Sequence, residues 1–412
     1  MKNIIENTNK INEKIVAHRR QFHANPELSY KEFETCKYIC KVLDELKIPN
    51  KIVCKTGVVA TVGNIYSEEK SRSETAKSSF ASNNQPIGCI AFRADIDALP
   101  ISEETNLSYS SKNAGIMHAC GHDFHAAMLL GAAEILKENE QNLNGIVKFI
   151  FQYAEESLPG GAKFMIENGV LENPTPEIIF AQHCEPDLEV GKFATVNETI
   201  MAATCEIYWT IKGKGTHAAQ PHQGSDPITV AANIITFAQT FINRYRNPLD
   251  TAVLSICSVN GGTANNISPD EVKLSGTLRT FNEKTRNELL ELLEKKCKQI
   301  ANSYDTVCEV EIIYGYPPVK NSSEAVDIVR NSVVELFGQE YFSICEPKMI
   351  AEDFAYFAKE IPACFYFVGV KNANSDLNFP LHNAKFNPNE KALAKGTALI
   401  VAIAEKQLKI KN

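Results

Sequence analysis

Gly115-Ile-Met-His-Ala-Cys-Gly-His-Asp-Phe-His-Ala126 runs almost directly into an apolar stretch, Met128 to Leu136, and the rest of the chain reads outward from this junction. It gathers the thiol of Cys120, the imidazoles of His118, His122 and His125 and the carboxylate of Asp123 just ahead of a helix. Cysteine and histidine are the usual ligands of zinc and similar divalent ions, and an acidic neighbour can orient a ligating imidazole. Taken alone, Cys-x-His reads equally well as a buried thiol with incidental histidines, so the flanking sequence has to decide.

On the N-terminal side, the extended run Ile87 to Ile96 ends in Arg93-Ala94-Asp95-Ile96-Asp97, which places two carboxylates where α/β proteins keep their sites. On the C-terminal side, Gly145 to Gln152 is nearly all apolar, the pattern of a strand buried on both faces, and Glu155 and Glu156 follow it. Adjacent side chains point in different directions, so such a pair can divide its labour, one carboxylate facing a metal and the other the reacting water. Ile178 to Gln182 is another short apolar strand, and it delivers His183. Strand, site residue and helix recur in this order, which is the layered α/β pattern.

Two amphipathic helices, Ile11 to Phe22 and Tyr30 to Leu46, precede these strands. The polar stretch Tyr66 to Pro86 reads as a solvated loop. From about Ala202 the texture changes. Strands at Cys205 to Lys212, Ala252 to Val259, Val272 to Thr280 and Cys308 to Tyr314 alternate with helices at Asp226 to Tyr245 and Asn282 to Tyr304. This β-α-β-β-α-β order is a split βαβ unit, inserted before the α/β rhythm resumes with helices at Ser323 to Phe337, near Asp353 to Lys359 and at Asn389 to Lys406, and a strand at Cys364 to Val370. Leu381-His382-Asn383 adds a loop histidine.

With 412 residues the chain exceeds the usual size of one core, so two domains are expected. A net charge of -8 without a long Lys/Arg run argues against a nucleic-acid groove. No stretch is long and apolar enough to span a bilayer, and Met1 to Lys14 lacks a signal-like apolar core. Twelve cysteines at scattered spacings suit a reducing cytosol better than a disulfide framework, so a cytoplasmic location is expected.

These segments resemble the metal-dependent amidohydrolases that include hippurate hydrolases, bacterial N-acyl-amino-acid hydrolases and plant auxin-conjugate hydrolases. The likeness covers His18-Arg19-Arg20 through Pro26-Glu27-Leu28, Arg93 to Pro100, Met117 to His125, Gln152 to Glu156, Gly213 to His222, Asn260 to Pro269, Glu352-Asp353-Phe354 and Leu381-His382-Asn383. The resemblance implies a zinc-peptidase-like α/β/α catalytic domain, residues 1–201 and 315–412, with a ferredoxin-like β-α-β-β-α-β lid and dimerisation domain at 202–314. It implies two divalent ions per chain held by Cys120, His122, Glu156, His183 and His382, with Glu155 as catalytic base and Asp95 behind the ligands. His217 would donate to the tetrahedral oxyanion, often in the partner subunit's site of a homodimer, and Asn265 and Arg279 would grip the substrate α-carboxylate. His222 rivals His217, spacing does not choose between them, and Arg279 could equally be a solvated charge on a sheet face. His118 and His125 are left to structural roles or to support behind the ligands, since the implied ligand set is already full. Tyr153, where a proline is common, and Leu158-Pro159, where glycines are common, depart from the pattern beside the site and bear on substrate choice.

The implied reaction is hydrolysis of the amide of an N-acyl-L-amino acid, with Glu155 taking the proton of the attacking water and passing it to the leaving amine. Thiolate and imidazole ligands favour zinc, and manganese, cobalt and nickel stay open. Three competitors are a metal-dependent dipeptidase or carboxypeptidase on the same site, a hydrolase with Cys120 as nucleophile activated by His122 or His125, and a non-catalytic binding protein, against which Glu155 speaks.

Overall fold

The structure, a computed structural model, describes residues 2–64, 88–374, 376 and 378–408; the expected loop Tyr66 to Pro86 lies outside them. The chain divides into two compact units, one of Met1–Glu198, Lys320–Glu346 and Tyr356–Asn412, the other of Thr199–Val319 and Pro347–Ala355.

The first unit is built on a mixed eight-stranded sheet in the order Asn50–Val53, Gly57–Asn64, Gly145–Gln152, Cys89–Asp95, Ile178–Glu189, Ala363–Lys371, Phe193–Thr195, Phe342–Ile344. Its four central strands, Gly145–Gln152 through Ala363–Lys371, are parallel, as the continuous apolar runs lead one to expect. The register brings their site residues to one level. Asp95 stands opposite Gln152, and Arg93 opposite Ala181, so His183 lies level with Asp95. The strand carrying His183 does not stop at Gln182. It continues to Glu189, because its neighbour Ala363–Lys371 keeps offering hydrogen bonds after the apolar run has ended.

Helix His122–Glu138 is buried from His122 through Leu136 and packs between helices Asn12–Ala24 and Lys391–Gln407. A helix apolar on all sides belongs inside a fold. Its start is welded to Asn12–Ala24 by buried charge: Arg19 Nε donates to Asp123 Oδ2 at 2.9 Å, and His23 Nδ1 lies 2.8 Å from the same oxygen. Burial would raise the Asp123 carboxyl, but Arg19 and His23 hold it well below the usual carboxylate range.

The second unit contains a four-stranded antiparallel sheet in the order Ala252–Asn260, Glu271–Thr280, Ala203–Lys212, Val307–Tyr314. On strand Ala203–Lys212 the inward residues Cys205, Ile207, Trp209 and Ile211 alternate with more exposed ones. They pack with Val230, Ile234 and Phe241 of helix Pro227–Tyr245 and with Leu289, Leu293 and Cys297 of helix Glu283–Asn302. Period-two patterning on the strand and period-3.6 patterning on the helices thus build one core.

Candidate active site

Cys120 and His122 flank Gly121, whose φ of +91° suits glycine and whose Cβ position would come within 3.0 Å of Cys184 Sγ. This tight turn aims both ligand candidates the same way. Cys120 Sγ lies 3.4 Å from His183 Nε2. His183 Nδ1 lies 2.8 Å from the carbonyl of Cys184 and so carries the proton, which leaves the Nε2 lone pair facing the thiol. His122 is fixed likewise. Its Nδ1 sits 2.9 Å from the Asp97 carbonyl and 3.1 Å from Asp97 Oδ1, so Nε2 is free and points inward, 3.7 Å from Glu156 Oε1.

Glu155 and Glu156 follow the strand Gly145–Gln152 in a turn whose Glu156 N–H donates to Asp97 Oδ2 at 3.0 Å. His382 enters from a loop whose backbone N–H donates to the carbonyl of Ala119 at 2.8 Å, and its Nε2 reaches 3.3 Å from Glu156 Oε1. Ligand atoms of Cys120, His122 and His183 fall within 4.8 Å of one another, and so do those of Cys120, Glu156 and His382; Cys120 belongs to both sets. A third such set joins His122, Glu155 and Glu156. Asp95 is held by Arg93 Nη1 at 2.7 Å and His125 Nδ1 at 2.6 Å. His125 also accepts from the Cys184 N–H at 2.9 Å, so both its nitrogens are spent.

In the second unit His217 lies on the short strand Thr216–His217, paired with Ile267–Ser268. Its Nδ1 accepts from the Ala219 N–H at 3.1 Å, which leaves Nε2–H as an exposed donor, whereas His222 sits in the short 3-10 turn Pro221–Gln223. Asn265 lines a hollow of about 290 Å³ together with Thr216, Ala218, Asp226 and Ser268. Arg279 Nη1 donates to the Met349 carbonyl at 3.1 Å, and its side chain is half-buried.

Residues 91–406 match peptidase family M20/M25/M40. The chain belongs to this family. It is 37% identical over 403 residues to an N-acetyl-L-cysteine deacetylase of Bacillus subtilis (strain 168), covering 98% of this chain and 90% of the relative. It is 35% identical over 403 residues to an IAA-amino acid hydrolase of Arabidopsis thaliana, covering 96% and 86%. The crystal structure of a dinuclear metal binding peptidase of the M20 family from Bacillus subtilis superposes with a TM-score of 0.80 at 32% identity, over 98% of this chain and 100% of that one. This M20 chain is a metal-dependent amide hydrolase.

The residues of this M20 site fit divalent cations. His122 Nε2 is buried without a hydrogen-bond partner among the described residues, and Glu156 Oε1 has the His382 and His122 imidazoles at 3.3 and 3.7 Å, so lone pairs and carboxylate converge on one point that a cation would suit. Although burial opposes a charged imidazole, Asp95, Asp97 and Glu156 drive His122 up to about 10, because the pocket holds more buried carboxylate than cation. Burial, Glu156, Glu155 and Asp95 push the Cys120 thiol well up, while burial and His125 hold His183 well below the usual range. A divalent cation bound here would favour the Cys120 thiolate as ligand, with the His183 Nε2 lone pair beside it. Sequence reading set aside one residue of consequence. Asp97 was visible as the second carboxylate of the strand end, yet only the fold shows that it holds both His122 and the Glu156 backbone, with Ser29 Oγ donating to it at 2.7 Å.

Proposed function

We propose that this M20 enzyme hydrolyses N-acyl-L-amino acids at a dinuclear centre held by Cys120, His122, Glu156, His183 and His382, with Glu155 as general base. The observation that carries the reading is the pair of ligand-atom sets sharing Cys120, with the buried Glu155 in a third set beside them. Two divalent ions there would supply Lewis-acid polarisation of the scissile carbonyl and a water of lowered pKa. Glu155 would take the proton of the attacking water and return it to the leaving amine. Asp97 keeps His122 and Glu156 aimed, and Asp95, held by Arg93 and His125, places negative charge 3.7 Å from His122 Nε2. Zinc suits the thiolate and imidazoles, manganese suits the carboxylate, and cobalt and nickel fit the same donors.

The relatives' names, an N-acetyl-L-cysteine deacetylase and an IAA-amino acid hydrolase, share an acyl group joined to an α-amino acid, which supports this substrate class. Asn265 in its polar hollow and Arg279, with guanidinium N–H groups beyond the one given to Met349, would bind the α-carboxylate. His217 is favoured over His222 as oxyanion donor because the Ala219 N–H fixes its tautomer with Nε2–H outward. The second unit would serve as lid and dimerisation domain: among the described residues its outer strands Ala252–Asn260 and Val307–Tyr314 have no further sheet partner, and they expose Val253, Val259, Val307 and Ile313. The scattered spacing of the twelve cysteines supports a cytoplasmic location. Against a Cys120 nucleophile stand the bonding of both His125 nitrogens and the burial and carboxylates that push the Cys120 thiol up.

The test is a substrate panel on apo and metal-loaded enzyme. N-acetyl and N-aroyl amino acids should be cleaved only after loading with zinc or manganese. Turnover that survives complete chelation, or that is abolished by alkylation of a metal-loaded sample with its ions retained, overturns the metal-centred reading. Preference for unblocked dipeptides over N-acyl amino acids would move the enzyme to the dipeptidases.

A further inference from the structure

One neighbouring and two sequence-remote residues converge on a buried carboxylate that the reaction itself does not use. Glu32 Oε1 accepts from the backbone N–H of Tyr30 at 2.9 Å and from that of Ala154 at 2.8 Å, and Glu32 Oε2 accepts from Thr56 Oγ1 at 2.8 Å. Both backbone donors are left-handed, with φ of +66° at Tyr30 and +52° at Ala154. For residues with a Cβ this conformation costs roughly 1–2 kcal/mol each and persists only where the surroundings enforce it. Ala154 immediately precedes Glu155. Its carbonyl is also held, by the N–H of Gly161 at 2.9 Å, at a position where any Cβ on Gly161 would fall 1.8 Å from the Tyr153 carbonyl oxygen. The Tyr30 ring meets the Tyr153 ring edge-on at 5.8 Å, and its hydroxyl donates to the Ser157 carbonyl at 3.1 Å.

The turn that carries Glu155 is thus gripped on both sides by carboxylates. Glu32 holds the residue before it, and Asp97 holds the N–H of Glu156 after it. We propose that Glu32 is a positioning residue for the catalytic base: it fixes the left-handed Ala154 and thereby the direction in which the Glu155 carboxylate leaves the turn. Glu32 touches neither Glu155 nor a metal-ligand candidate in any hydrogen bond it makes to Tyr30, Thr56 or Ala154. Its contribution is reach, an acceptor oxygen placed where two strained amides need one. The amide oxygen of glutamine offers the same reach without the charge, while aspartate offers the charge on a side chain one methylene too short. The inference rests on Glu155 being the base.

The experiment compares Glu32→Gln and Glu32→Asp in metal-loaded enzyme with an N-acetyl amino acid, alone and combined with Glu155→Gln. Glu32→Gln should keep kcat within about 3-fold of wild type, and Glu32→Asp should lower kcat by about 10- to 100-fold with little change in KM, since an error of about 1 Å in a catalytic group can cost that much. Metal content should stay unchanged in both, because Asp97 holds Glu156 independently. In the Glu155→Gln background the further loss on adding Glu32→Asp should shrink to within about 3-fold, as coupled residues are not additive. Asp outperforming Gln, or a full additional loss in the Glu155→Gln background, would overturn the positioning role. A Glu155→Gln enzyme that turns over normally would instead sink the base assignment, so the two failures are told apart. Should Glu32→Asp not fold, the Gln variant still decides, since a loss of 10-fold or more there contradicts a role based on reach.

Discussion

Replacing Asp97 by asparagine tests whether the two carboxylate contacts behind the proposed ligands His122 and Glu156 hold the centre together. In the native site Oδ1 lies 3.1 Å from His122 Nδ1 and Oδ2 accepts the Glu156 N–H at 3.0 Å. Asparagine has a single acceptor oxygen, so either the imidazole or the Glu156 amide must face an NH2 group. The network sets the direction of compromise. His122 Nδ1 is also 2.9 Å from the Asp97 backbone carbonyl, so its tautomer survives, and the oxygen should be kept for Glu156. Loss of a supporting contact of this kind typically weakens metal binding 10- to 100-fold. The retained carbonyl places Asp97→Asn near the lower end, about 10-fold or ~1.4 kcal/mol, while Asp97→Ala, which frees the Glu156 amide as well, should approach 100-fold. Competition with a chelator of known affinity, read by metal content of the gel-filtered protein, measures this directly. Unchanged affinity in both variants would refute the role assigned to Asp97.

Arg279→Ala should raise KM for substrates with a free α-carboxylate by about 10-fold or more and leave their esters nearly unaffected, because a guanidinium fork gains most from a carboxylate; equal losses on acid and ester, in parallel steady-state assays, would leave Arg279 only its bond to Met349. Co-expression of Glu155→Gln chains with His217→Ala chains should restore roughly a quarter of wild-type activity, since about half of randomly paired dimers are mixed and each has one intact shared site; no recovery with mixed dimers verified by mass would place His217 in its own chain's site. Burial and the nearby Asp97 raise Glu32 to about 7 from its ordinary 4.5. A raised carboxyl favours the fold below about pH 4.5 and loses that advantage as pH climbs to about 7, so Glu32→Gln should gain apparent Tm over wild type at pH 8 relative to pH 5, by up to roughly 3 kcal/mol in stability. Thermal scans at the two pH values check the sign.

Cys120, His122, Glu156 and His183 stood out as candidates because each sits at the junction of an apolar element and a turn, where hydrophobic period and residue chemistry can be read together, while their grouping with His382 as one ligand set came from the family resemblance. The parallel strands Gly145–Gln152 and Cys89–Asp95 were readable for the same reason, being apolar on both faces. The short strands Phe193–Thr195 and Phe342–Ile344 were not, since three residues carry no period and their pairing exists only through partners far along the chain. Nor does any local pattern mark Pro347–Ala355 as part of the second unit. The supporting shell was hidden most of all. Glu32 and Ala154 stand 122 positions apart, and the left-handed turn at Ala154 lacks the glycine that would have announced it. Asp97 stood out in the sequence only as the second carboxylate of a strand end, because its two tasks, toward His122 and the Glu156 amide, are defined only once strand and site helix are in register.

The central claim, that Glu155 moves the proton while Glu156 helps to hold the metals, is tested most directly by measuring metal content and turnover on one and the same sample of Glu155→Gln enzyme. About two divalent ions per chain with turnover of an N-acyl amino acid lowered at least ~100-fold is the result expected of a lost proton carrier. Loss of an ion together with activity, or full activity with both ions in place, would contradict it.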